Sequence, residues 1–215
     1  GSRGQEVSGS TYESLNPFQC DELLRLIHVS TLCNESEVSM QEGEYIVNGT
    51  PTENALIHMA ISAGVDVIQL RNKYSFIKIN HRSENLNFMS SIHEYRNNNK
   101  HYLVALKGSP AEVLTMCSYQ IKDGEKIPLN EDNRLAIEIE NERMAGNALR
   151  GLAAAYCHIK NSDDDFVGNK DLVWLGLIGM ADPIRNGVKD LMAVFHQAGI
   201  DTVMITGDQG PTAYA

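Results

Sequence analysis

Several short stretches place a charged side chain where an apolar run gives way to a helix-forming one. Lys107-Gly108-Ser109-Pro110 closes an apolar stretch and opens a helical one. Lysine is a compact cation with long reach, glycine lets a ligand approach the backbone, and the N–H groups of a helix start suit an anion. The same stretch also reads as an exposed strand-end lysine ahead of a helix. Gly49-Thr50-Pro51-Thr52-Glu53 is open in the same way, because an acid in a first helical turn is favourable by itself. In Asp182-Pro183-Ile184-Arg185, an N-cap aspartate followed by proline explains the first two residues and leaves Arg185 unexplained. Val203-Met204-Ile205 runs into Thr206-Gly207-Asp208. Open α/β sheets bind ligands beyond the carboxyl ends of their strands, so Asp208 would sit near Mg²⁺ and Thr206 would face phosphate. Strand-end punctuation is the competing reading.

The other chemistry-bearing residues do not converge. His28, His58, His93, His101, His158 and His196 lack metal-ligand spacing and read as structural, and no metal site is expected. Cys20, Cys33, Cys117 and Cys157 lie far apart and read as buried, reduced thiols. Asp163, Asp164 and Asp165 are consecutive, without the alternation of a calcium loop, and read as a solvated loop. The formal charge of −10 argues against non-specific nucleic-acid binding, which draws its affinity from Lys and Arg on phosphates. A small polyphosphate needs only a local basic pocket. The apolar run 172–181 is shorter than the roughly 20 residues a spanning helix needs, so no membrane insertion by this chain is expected.

Hydrophobic periodicity supplies the elements that would carry these stretches. Helices are expected over 21–33, from Pro51 to Ala63 with Gly64 as the stop, from Ser109-Pro110 to Ser118, from Asn130 or Asp132 to Ala148, and over 187–198. Strands are expected over 75–80, 88–93, 101–106, 150–159, 172–180 and 202–206, with a turn at Asn97, Asn98 and Asn99. A hairpin over 44–47 is expected to turn at Asn48-Gly49, and Asp123-Gly124 marks another turn. Residues 1–15 read as a flexible lead-in, with one domain over 16–168 and a second α/β piece over 169–215.

Taken in order, the motifs resemble those of the P-type cation-transporting ATPases. Pro51-Thr52-Glu53-Asn54-Ala55-Leu56 is similar to P-T-E-x-A-L and Lys107-Gly108-Ser109-Pro110 to K-G-A-P. Leu149-Arg150-Gly151-Leu152-Ala153 resembles the R-x-L-A strand, and Asp182-Pro183-Ile184-Arg185 resembles D-P-x-R. Met204-Ile205-Thr206-Gly207-Asp208 with Thr212-Ala213 resembles M-x-T-G-D-x-x-x-T-A. The resemblance implies an ATP-binding domain, a twisted, mainly antiparallel sheet flanked by helices, followed by an incomplete Rossmann-like (HAD-like) α/β segment that packs irregularly. It places Thr52, Glu53, Lys107, Gly108 and Arg150 around the nucleotide. Glu53 would accept from the adenine amino group, Lys107 would line the pocket near the purine, and Arg150 would reach the phosphates. Asp182, Arg185, Thr206, Gly207 and Asp208 would join nucleotide, Mg²⁺ and phosphorylation site when the domains close. Partners would be the remaining phosphorylation, actuator and transmembrane domains of a pump of the calcium, sodium/potassium, proton or magnesium type. The setting would be the cytoplasmic side of an integral membrane protein.

Departures qualify the resemblance. The stretch in which relatives carry F-x-S-E-x-K places His81 in the aromatic slot, with Arg82 beside it and no lysine; either side chain can stack on a base, and a surface histidine and arginine at a strand end is the plain alternative. The D-K-T-G-T and G-D-G-x-N-D motifs are absent, so an excised domain is expected, one that binds ATP without turning it over and contains no catalytic residue of its own. The competing expectations are a HAD-type phosphatase and a non-catalytic interaction domain.

Overall fold

In the computed structural model, residues 16–83, 86–95, 102–163, 171–181, 187–203 and 205 are described. The Asn16 side chain accepts the Phe18 N–H and starts one 3-10 turn, which leads into α1 (Asp21–Leu32). A two-stranded hairpin, β1 (Glu37–Gln41) and β2 (Glu44–Asn48), precedes α2 (Pro51–Ser62) and the short α3 (Val67–Lys73). Then come β3 (Tyr74–Asn80), β4 (Phe88–Tyr95), β5 (Tyr102–Gly108) and α4 (Pro110–Met116). A second hairpin, β6 (Tyr119–Lys122) and β7 (Glu125–Pro128), leads to α5 (Glu131–Gly146), and β8 (Arg150–Ile159), β9 (Val173–Met180) and α6 (Val188–Gln197) follow.

Seven strands form one sheet in the order β3-β4-β5-β8-β9-β6-β7, antiparallel except between β6 and β9. Its central strands are apolar on both sides because both sides are covered. From β5, Leu103 and Ala105 join Ile27, Leu56 and Val67 of α1, α2 and α3. The intervening Val104 and Leu106 join Val113 and Leu114 of α4. In β8, Ala154 and Tyr156 face the first core and Ala153, Ala155 and Cys157 the second. Two buried faces with a period of two produce a continuous apolar run rather than alternation.

Local chemistry sets the element ends. Thr50 caps α2, Asp66 caps α3 and Asn130 caps α5, each by accepting the backbone N–H of the third helical residue. The end of α4 is closed from a distance, since the Arg134 guanidinium donates to Leu114 O and Cys117 O, both at 2.6 Å.

The structure corrects some expected elements. The first hairpin turns at Glu42-Gly43, both at positive φ (52° and 87°) as a tight two-residue turn requires. Asn48-Gly49 instead leaves β2 for the α2 cap. β1 and α3 had no counterpart in the sequence reading. The strand expected over 202–206 is not formed at its described residues, where Val203 and Ile205 are 84% and 95% exposed. No described strand lies alongside to supply a ladder. β9, within 169–215, pairs along its length with β8 and belongs to the same sheet. Asn97, Asn98, Asn99, Asp164 and Asp165 lie outside the described residues.

Candidate functional site

One end of the sheet collects the start of β4, the end of β5, the start of β8 and the end of β9, through the pairs Phe88↔Gly108 and Arg150↔Met180. The first turn of α2 and the inner side of α5 close around this end and leave a cleft of about 770 Å³. Thr52, Glu53, His81, Arg82, Lys107, Gly108 and Arg150 all line it. Asp182, Arg185, Thr206, Gly207 and Asp208 lie outside the described residues.

Lys107 continues the side of β5 that carries Leu103 and Ala105, and is itself buried at 4% exposure. Its ammonium donates to both Glu53 oxygens, at 2.5 and 2.7 Å. Glu53 is fixed from several directions besides. Its N–H bonds the Thr50 hydroxyl, its carbonyl accepts from Asn34 Nδ2 at 2.9 Å, and its Oε2 accepts the Glu35 N–H at 3.1 Å. The 34–36 turn is held by Arg71, which donates to Thr31 O, Asn34 O and Ser36 O, the last at 2.7 Å. Burial lowers the Arg71 pKa, with the Glu53 charge acting against that. The pair Glu53–Lys107 is thus the end of a network running from α3 through the α1 terminus to the floor of the cleft.

Nearby, the buried Cys33 thiol donates to Met89 O at 3.4 Å, and burial pushes its pKa to about 11, so it stays protonated and unreactive. At the rim, His81 Nδ1 lies 3.5 Å from Glu35 Oε2, with both side chains more than half exposed. Met89 and Leu152 add apolar wall. Gly108 answers to its neighbouring strand: a Cβ there would come within 2.6 Å of Asn87 O and Phe88 Cα. The glycine is required by that strand approach whatever occupies the cleft.

Sequence reasoning did not single out Glu35, Asn141, Ala145 or Met180, all of which line the same cleft. Glu35 follows a helix end without a motif. Asn141 sits in a helix whose apolar residues do not keep to one side, Leu135 and Ile139 being exposed while Ile137 and Ala145 turn inward, so only the tertiary fold distinguishes it.

A family profile described as "P-type ATPase, cytoplasmic domain N" matches residues 22–187. A calcium-transporting ATPase of Bacillus subtilis is 31% identical over all of this chain and 25% of its own length. A calcium-transporting ATPase of Listeria monocytogenes is 35% identical over 89% of this chain and 21% of its own length. The sodium/potassium-transporting ATPase alpha subunit of Tetronarce californica is 30% identical over 88% of this chain and 20% of its own length. The chain therefore spans between a fifth and a quarter of these relatives.

Proposed function

Because this chain belongs to the P-type ATPase family, as its cytoplasmic nucleotide-binding (N) domain, we propose that the cleft at the end of the sheet holds ATP for delivery to an aspartate outside residues 1–215. The observation that carries this reading is the convergence of seven residues, separated by up to 98 positions, on a single cleft. Its volume of about 770 Å³ suits a nucleotide, within the roughly 300–1,000 Å³ usual for small-molecule sites.

Glu53 and Lys107 form the base end of the site, Met89 and Leu152 its apolar walls, and Arg150 the phosphate end. His81 and Arg82 stand at the rim, where either can stack on the base. Among the described residues no group of three His, Cys, Asp or Glu side chains converges as a metal site. On this reading Mg²⁺ arrives with the phosphates. The nucleotide domain takes in the seven-stranded sheet, and the stretch with Asp182, Arg185, Thr206, Gly207 and Asp208 begins a HAD-like phosphorylation segment completed by other parts of a cation pump.

A titration with ATP and GTP, with and without Mg²⁺, followed by NMR or calorimetry, tests this. Saturable binding that prefers ATP and weakens in Lys107→Ala and Glu53→Ala supports it. Folded protein unmoved by several millimolar ATP, a concentration above the roughly 1 μM–1 mM range of ordinary Michaelis constants, overturns it. That result favours an interaction domain, in which the exposed His81–Glu35 pair is a surface contact.

A further inference from the structure

We infer that Asn141 reads the ribose of the bound nucleotide, a specificity contact that rests on the ATP reading above. The inward side of α5 carries Arg134, Ile137, Asn141 and the adjacent Met144 and Ala145, each step along it being three or four residues. Ile137 packs into the second core, and Ala145 is buried. The Arg134 guanidinium is spent on Leu114 O and Cys117 O. Asn141 alone on this stripe presents an uncharged polar group, half-buried on the wall of the cleft. Among the described residues its amide makes no hydrogen bond. Its amide atoms are not buried and reach the open cleft, so both the donor and the acceptor are available to a ligand there.

The place of the amide follows from Gly151. A Cβ built at Gly151 would collide with Asn141 Oδ1, so the asparagine head occupies the space a side chain at 151 would fill. Gly151 follows Arg150, at the phosphate end, whereas Lys107 lies opposite Ala154 at the base end. From the level of Lys107 to that of Gly151 is three residues of strand, about 10 Å. A nucleotide laid from Lys107 toward Arg150 carries its sugar past Asn141. A primary amide offers both a donor and an acceptor, the pairing that a ribose hydroxyl can satisfy from either side.

The test compares ATP, 2′-deoxy-ATP and 3′-deoxy-ATP on the same chain, wild type and Asn141→Ala, by calorimetry with NMR spectra as a check of folding. The wild type is expected to prefer ATP over at least one deoxy form by about three- to tenfold, the worth of one hydrogen bond. In Asn141→Ala the preference is expected to vanish, with ATP affinity falling by a similar factor. The ratio is taken within each variant, so a general loosening of the fold cancels. A wild type that binds ATP and the deoxy nucleotides equally overturns the Asn141 assignment alone, as does an Asn141→Ala variant that keeps the preference. A wild type that binds none of them overturns the ATP reading and this assignment with it.

Discussion

Removing either partner of the Glu53–Lys107 pair should cost the fold more than removing both. The side chains are only 13% and 5% exposed, respectively, and the ammonium reaches both carboxylate oxygens. In Lys107→Met, Glu53 keeps its charge with a side chain still largely buried, the Glu35 N–H as the remaining hydrogen bond to its carboxylate and the Arg71 charge farther off. Breaking a buried pair in this way costs about 3–5 kcal/mol, whereas replacing both charges by neutral groups of similar volume is often close to neutral. The double variant Glu53→Gln/Lys107→Met should therefore be more stable than Lys107→Met alone and should recover most of the loss. Urea unfolding followed by the fluorescence of Trp174, the single tryptophan, buried at 4% exposure in β9, reads this directly. A coupling energy of at least roughly 2 kcal/mol in the double-mutant cycle is the expected result. Additive losses, with the double variant as unstable as the sum of the singles, would refute the claim that the two charges depend on each other.

Two further predictions concern the scaffold. The His93 ring is buried beside Ser91, and burial holds its pKa down at about 4, against about 6.5 in an unfolded chain. Between those values only the unfolded chain takes up the proton. The stability that neutral His93 allows is thus present above about pH 6.5 and lost as the pH falls toward 4, by at most roughly 3 kcal/mol. The pH dependence of urea unfolding should be shallower over this window in His93→Leu, and an unchanged slope would count against it. Gly108→Ala should destabilise by about 1–3 kcal/mol, since its methyl group meets the β4 backbone rather than open space; thermal unfolding at the wild-type midpoint would disprove that contact.

What could be read in the sequence is what depends on neighbours in the chain. The apolar stretch 150–159 announces a strand buried on both faces, and Thr50-Pro51 announces a helix start, because each rests on a local period or cap. Glu53 and Lys107 stood out singly as charged residues at element ends. Their pairing across 54 positions is a property of the fold. Asn48-Gly49 misled because it is a favourable turn dipeptide, yet Gly49 is needed elsewhere: a Cβ there would run into Ser36 and Asn54, which hold the start of α2. Asn141 was invisible for the opposite reason, a polar residue in a helix with apolar residues on both its inward and its exposed sides, whose inward turn only tertiary contact selects. The strand expected over 202–206 is not formed at its described residues, because an apolar run names a strand only where a neighbour completes it.

The position of β9 bears on how the chain is made. It is the last in sequence of the sheet's described strands, yet it lies in the interior of the sheet, between β8 and the β6–β7 hairpin. During N-to-C synthesis β8 presents a raw, apolar edge until Val173–Met180 has left the ribosome, and β6–β7 waits for its docking site over the same interval. The stretch 171–180 is in this sense the closing piece of the nascent domain. A chain interrupted shortly before it would keep nearly all the cleft residues and still expose the edge most prone to pairing with another molecule.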